Sequence, residues 1–512
     1  MRIGELLLVA VLAVPALGAV VVAAWPRDRA ARLVGTVFAG LTLLAAVLLA
    51  TGERTWTAWA ADAPAVRPWH QLDLPWVPGL ELRFHLGVDG ISWPLVVLTA
   101  LLTLLCCGYT VWKVPAGGSG RALVALLLVV EVGILGTFLA LDLVLFFLFF
   151  EVVLLPMYAI IVGWGGSATG DGRSARDAAR AAGRKFALYT LFGSVLLLVG
   201  VYLVVTAAGT ADLVTLTGGD GLSRGTQLAA FILLGLAFAV KSPLWPLHSW
   251  LPDAHTQAPT VGSVVLAGVL LKMGTYGLIR VAVGVAPEGA RQVAPVLGVL
   301  AVAAILIGAL ICLAQDELKR LIAYSSVGHM GFVLLGIATL TATGIQAALI
   351  GNIAHGVLTA LLFFLAGAVK DRTGTGSLAQ LSGLRDAAPR LAGLLGFAAV
   401  ASLGLPGLAG FWGEALAVIA AVQRGGAFWI TLGVLAAVGG ALTAAYLLRL
   451  LRRVTHGRPS PAVGALEPRL AGAELTAWTP LVLLALAIGL APTLVLGVAA
   501  APVTALVEVL AP

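Results

Sequence analysis

The chain has 512 residues, of which 60% are hydrophobic and 11% charged, and its mean hydropathy is +1.04. That composition excludes a soluble globule and points to a polytopic membrane protein. The formal charge of +7 is accounted for by orientation signals on one membrane face, so it calls for no nucleic-acid partner.

A span needs roughly 20 apolar residues to cross about 30 Å of hydrocarbon. About fourteen such runs follow one another along the chain. They fall near 3–24, 33–50, 88–111, 122–139, 141–163, 186–207 and 228–250, then near 259–281, 293–314, 321–340, 346–369, 391–422, 428–450 and 476–500. All are expected to be helices, because an isolated strand cannot satisfy its backbone in lipid. The first run follows Arg2 as a secretory signal would, but it is long, has Glu5 near its start and lacks a small-residue cleavage site, so it is read as mature sequence. The connection 51–87 carries Trp56, Trp59, Trp69 and Trp76 among prolines and reads as an outer-face loop lying at the membrane interface.

Charge tests the count. One set of alternate loops holds most of the cations: Arg27, Lys113, Arg121, the cluster at 173–185, Lys319, Lys370 and the cluster at 449–469. The other set, which includes the amino terminus, holds few, among them Arg67, Arg83 and Arg280. Cytoplasmic loops carry the excess, so both termini are expected outside the cytoplasm. Only Lys241 and Lys272 belong to neither set, because both lie within spans.

A charge inside the bilayer is tolerated when it is partnered, hydrated or in use. Besides the two lysines, Glu131, Glu151 and Glu414 lie within spans, as do His329 and His355. A single buried His can serve as a helix–helix hydrogen-bond donor, but seven titratable groups together read as a chain through the middle of the membrane. Asp89 and Asp142 sit nearer span ends and read as hydrated interfacial carboxylates. Two spans are broken: Pro243 and Pro246 follow Lys241, and Gly404, Pro406, Gly407 and Gly410 precede Glu414. Five spans apart, they cross in opposite senses, which is the pattern of inverted repeats around a central ion site. Cys106, Cys107 and Cys312 lack metal-ligand spacing, and no G-x-G-x-x-G, P-loop or CxxC occurs, so no cofactor or metal site is expected in this chain.

The run Lys241-Ser-Pro-Leu-Trp-Pro-Leu-His-Ser-Trp-Leu-Pro-Asp-Ala-His-Thr-Gln-Ala-Pro259, continuing to Leu271-Lys272-Met-Gly-Thr-Tyr-Gly277, resembles the signature of the antiporter-like membrane subunits of respiratory complex I, the proton-translocating NADH:quinone oxidoreductase. Further resemblance lies in Phe150-Glu151-Val-Val-Leu-Leu-Pro-Met-Tyr158, Leu318-Lys-Arg-Leu-Ile-Ala-Tyr-Ser-Ser-Val-Gly-His-Met-Gly331, Asn352-Ile-Ala-His355 and Leu405-Pro-Gly-Leu-Ala-Gly-Phe-Trp-Gly-Glu414. Most members carry Lys where this chain has Glu414, so the resemblance is to the branch called subunit M or chain 4.

The resemblance implies an all-α fold of about fourteen spans, with two inverted five-helix repeats and broken helices 7 and 12. The expected divisions are a three-helix region over 1–120, a first repeat over 121–283, a second over 284–455, and a terminal loop and helix over 456–512. It implies that Glu151 pairs with Lys241 as a switch, that Lys272 is the central relay, and that His329 and His355 pass protons on. Glu414 is then the exit, Glu131 communicates with a neighbouring subunit, and His248 is a further candidate. FMN, iron–sulfur clusters and quinone are expected in partner subunits of a hetero-oligomer in a bacterial plasma membrane. The alternatives are a subunit of an Mrp-type cation/proton antiporter or membrane-bound hydrogenase, and a non-pumping scaffold.

Overall fold

The computed structural model describes residues 2–51, 66–77, 79, 82–166 and 174–510; Arg54, Trp56, Trp59 and Arg173 fall outside them. The described residues form helices α1 (Ile3–Ala24), α2 (Asp28–Leu48), α3 (Trp93–Trp112), α4 (Gly120–Leu139), α5 (Leu143–Trp164, with a turn at Val153) and α6 (Ala175–Ala208). The seventh span is α7 (Arg224–Lys241) followed, after a break, by α8 (Trp250–Gln257). Then come α9 (Thr260–Val283), α10 (Pro287–Ala314), α11 (Leu318–Ala338) and α12 (Ala342–Thr373). The twelfth span is the broken pair α13 (Pro389–Ser402) and α14 (Ala409–Arg424), and α15 (Gly426–Thr455), α16 (Gly472–Leu490) and α17 (Thr493–Val509) complete the chain.

The helices begin where a polar side chain relieves unpaired first-turn N–H groups. Ser119, Asp142, Ser174, Ser223, Glu317 and Thr341 each accept such a bond. The apolar surface is divided unevenly: α9 is buried along its whole hydrophobic window and α11 and α12 nearly so, whereas α1, α2, α6, α15 and α16 leave most of theirs half-buried or exposed. The first group is the interior of the bundle and the second faces lipid.

Ion pairs close one end of the bundle, here termed the basic face: Lys113 to Asp371 at 2.6 Å, Arg453 to Asp316 at 2.8 Å, and Arg372 to both carboxylate oxygens of Glu474 at 2.7 Å. The opposite face carries a hairpin. Leu141 N–H donates to His85 O at 2.9 Å, and His85 Nδ1 meets Asp212 Oδ1 at 2.8 Å.

Four expectations are corrected. The connection 51–87 is not a plain loop, since it contains an antiparallel hairpin, β1 (His70–Val77) and β2 (Leu82–Val88); alternate Leu72, Leu74 and Trp76 supply a period of two. Trp69 of that connection is buried against Trp93, with ring centroids 6.1 Å apart. The last span stops at Leu490, and α17 instead runs along the hairpin face, where a Cβ on Gly90 would strike Val498 O and Leu510 O accepts from Arg291 Nη1 at 2.6 Å. Asp89 and Asp142 are buried, not exposed at an interface: Asp142 caps α5 through Val144 and Leu145, and Asp89 forms an ion pair with Arg280. Arg280 and Lys319, assigned to loops by the charge pattern, are likewise buried, so charge within this bundle is not confined to the two lysines.

Arg280 shows what such a pair costs. Burial of two ions is repaid only while both are present, and removing one partner typically costs about 3–5 kcal/mol. Arg280→Met is therefore expected to lower the Tm of the detergent-solubilised protein, and Arg280→Met with Asp89→Leu to recover most of the loss. A double variant as unstable as the single one would show that Arg280 stabilises through contacts other than Asp89.

Candidate functional site

Helix α9 carries Lys272 between two π-helical segments, Leu266–Leu270 and Leu278–Val283. Such wide turns recur at functional sites because they shift backbone carbonyls out of the regular ladder. Lys272 is fully buried. Its Nζ donates to Ala267 O at 2.5 Å and lies 2.6 Å from His355 Nδ1. A charged ammonium has donors only, so against it His355 Nδ1 accepts and the ring proton sits on Nε2.

From His355 the line continues. The His329 ring lies 5.8 Å from that of His355, and His329 Nδ1 lies 2.8 Å from Glu414 Oε1. These two histidines and Glu414 line a cavity of about 30 Å³ with Thr359 and Ser402. A water needs roughly 10–15 Å³ of such space and a few polar partners, so the cavity has room for one or two. Lys272, His355, His329 and Glu414 thus form a line of titratable groups joined by hydrogen bonds, except for one step that water can bridge.

The break before Glu414 positions its end. Gly404 (φ +84°) and Gly407 (φ +89°) adopt a left-handed backbone around Pro406, and a Cβ at Gly404 would stand 3.2 Å from Glu414 Oε2. The carboxylate therefore lies against the chain interruption, where backbone groups are freed from the helix ladder.

Lys241 closes α7 at the other break. Trp250 Nε1–H donates across it to Val240 O at 3.0 Å. Lys241 Nζ lies over the Phe150 ring at 4.5 Å, and Glu151 is the carboxylate that acts on it electrostatically, yet no ion pair joins the two within 4.0 Å. Helices α7 and α9 meet tightly here, since a Cβ at Gly274 would lie 2.3 Å from Ser242 Oγ. Glu131 is fully buried with neither carboxylate oxygen bonded among the described residues, and it stands apart from the line, beside Cys107. His248 stands beside Tyr324, ring centroids 6.2 Å apart.

Hydropathy misses one residue. His255 is completely buried and stacks flat on Phe363, with centroids 4.5 Å apart and an interplanar angle of 12°. It lies between Pro252 and Pro259, past the seventh-span break, in a stretch whose polarity reads as a loop. A histidine bracketed by prolines between two spans was the available signal. Among the described residues, no group of three or more His, Cys, Asp or Glu side chains is placed to hold a metal ion.

Residues 140–439 match the family model described as NADH:quinone oxidoreductase/Mrp antiporter, TM. NADH-quinone oxidoreductase subunit M of Rhodobacter capsulatus is 40% identical over 435 residues, covering 83% of this chain and 81% of that one. A chain of respiratory complex I from Thermus thermophilus with bound NADH superposes with TM-score 0.85 at 30% identity, covering 99% of this chain and 100% of that one. A chain of the Mrp complex from Dietzia sp. DQ12-45-1b superposes with TM-score 0.83 at 25% identity over the full length of both.

Proposed function

The chain belongs to the membrane-subunit family shared by NADH:quinone oxidoreductases and Mrp antiporters, on the subunit M side, and from that premise we propose that it carries protons along Lys272, His355, His329 and Glu414. The observation that supports this reading is the contact sequence itself: ammonium to imidazole at 2.6 Å, imidazole to imidazole across a water-sized cavity, imidazole to carboxylate at 2.8 Å. Each group can accept a proton from one side and release it to the other.

Glu151 and Lys241 act as the switch. Apart, Lys241 has no counter-ion in contact among the described residues; brought together, each favours the other's charged form. Moving one charge against 100 mV costs about 2.3 kcal/mol, comparable to a change of one or two units in proton affinity at about 1.4 kcal/mol each. Glu131 passes the electrostatic change sideways from within the bundle. The basic face is cytoplasmic and both termini lie on the other side of a bacterial plasma membrane. The first repeat occupies 121–283 and the second 284–455. Redox chemistry with FMN, iron–sulfur clusters and quinone resides in partner subunits.

The likeness to the Mrp chain favours a second reading, a subunit of a cation/proton antiporter, and the chains that copurify decide between the two. Lys241→Met tests both against a passive scaffold. The complete complex is expected to assemble while NADH-driven acidification of inverted vesicles falls on the order of 100-fold, the scale on which a positioned acid–base group acts. Failed assembly with no separate pumping defect would favour the scaffold.

A further inference from the structure

The contact between His329 and Glu414 joins two helices that pack side by side, α11 and α14. A single contact leaves such a pair free to turn and slide about it. A second one, well separated along the axes, removes that freedom. Among the described residues, one other side chain of α14 bonds to α11: Arg424, the last residue of α14. Its Nη1 donates to Ala338 O at 2.8 Å and also to Thr339 O, the carbonyls that close α11. Trp412 reaches α16 instead, donating to Gly489 O at 2.8 Å.

The spacings agree along both helices. At 1.5 Å per residue, Arg424 lies about 15 Å beyond Glu414, and Ala338 about 14 Å beyond His329. The guanidinium bonds and the imidazole–carboxylate contact are therefore two ties between the same helices, nearly three turns apart.

The far tie is built for its place. Carbonyls in the last turn of a helix have no N–H of their own helix to bind, and a cation there is favourable. Helix α11 has no basic residue in its last turn, so α14 supplies the cation and the cap becomes an interhelical bond. The guanidinium also lies 4.2 Å from the centroid of the Trp429 ring, which is buried at the start of α15. Leu340 directly follows the accepting carbonyls with φ +51°, the one non-glycine residue in the left-handed region among those described. Such strain persists only where surrounding contacts impose it. The chain also leaves α14 through Gly425 (φ +78°) and Gly426 (φ +76°), as it enters through Gly404 and Gly407. Glycine turns at both ends leave the rotation of α14 to its side-chain contacts.

We propose that Arg424 is a positioning residue for proton transfer: it ties α14 to α11 and so holds Glu414 in register with His329. The inference rests on the proton-carrying reading above. Arg424 itself exchanges no proton. A carboxylate at the surface of a helix stands about 5–6 Å from its axis, so a turn of about 10° carries it about 1 Å away. Misplacement on that scale can slow a reaction step by about 100-fold.

The test uses inverted vesicles containing the complete complex. Arg424→Met keeps the stem but removes both bonds and the charge, and NADH-driven acidification per assembled complex is expected to fall about tenfold or more. Arg424→Lys, which offers a cation to the same carbonyls, should recover most of the loss. Replacing light water by heavy water should slow Arg424→Met more than wild type, because the misaligned transfer has become the limiting step; a variant that is only less stable keeps the wild-type ratio. Glu414→Gln, measured in parallel, separates the two levels. Wild-type acidification by Arg424→Met beside an inactive Glu414→Gln overturns the positioning role and leaves the proton line standing, as does a loss with an unchanged isotope ratio. An active Glu414→Gln overturns the line itself. If Arg424→Met does not assemble, Arg424→Gln, which keeps a donor but no charge, takes its place, and wild-type acidification by it overturns the positioning role.

Discussion

Lys272→Met is expected to leave the complex assembled and to lower NADH-driven proton translocation on the order of 100-fold. Methionine fits the volume and the unbranched shape of the lysine stem, so the packing of α9 against α12 is retained. Two interactions are lost. Ala267 O loses its donor within a π-helical turn, and His355 Nδ1 loses the ammonium it faces. Losing a hydrogen bond from a charged group is a matter of about 1.5–3 kcal/mol and does not by itself halt a pump. Losing the titratable group in contact with His355 is expected to interrupt transfer. Stability and translocation should therefore separate: Tm within a few degrees of wild type and acidification near zero. Parallel loss of both would make Lys272 a packing residue.

Glu414→Gln should have a comparable effect by a different route. The glutamine carbonyl can still accept from His329 Nδ1, so the contact at 2.8 Å is preserved in shape. What disappears is ionisation, and with it the capacity to take a proton from His329 and release it. Glu414→Asp retains the carboxylate but withdraws it by one methylene from a short contact, and should keep part of the activity. The order wild type, then Asp, then Gln in vesicle acidification distinguishes a proton acceptor from a hydrogen-bond acceptor. Equal activity of Gln and wild type would assign Glu414 to structure.

Much of this was legible in the sequence, for reasons specific to membranes. A span must be long and apolar, so the runs were visible without any contact information. Their ends were less so. Helix α6 begins at Ala175, eleven residues before the apolar run at 186, because Arg176, Arg180, Arg184 and Lys185 continue the helix beyond the hydrocarbon. Arg280 and Lys319 illustrate the converse: their place near span ends suggested loops, and only the packing of neighbouring helices buries them. The hairpin at 70–88 was obscured by its prolines and by the helical signal on either side, although its alternation of polar and apolar residues was present.

The site divides in the same way. Intramembrane charge exposed Lys272 and Glu414, and the breaks at Pro243 and Pro406 marked where spans are interrupted. The order of contact was not accessible, because Lys272, His355, His329 and Glu414 lie on four different elements and become neighbours only through tertiary packing. Family resemblance pairs Lys241 with Glu151 as a switch, and in this structure the Phe150 ring lies under the ammonium while Glu151 acts on it without an ion pair. His255 escaped notice because hydropathy averages it into polar surroundings that the fold then buries.

The central claim is that one line, and not two independent sites, carries the proton, and the Lys272→Met, Glu414→Gln double variant tests it most directly. Residues acting as a unit are non-additive: once one member is gone, removing another costs little. Acidification by the double variant, normalised to assembled complex in inverted vesicles, should equal that of the weaker single variant. A double variant whose loss is the product of the two single losses would contradict a common path.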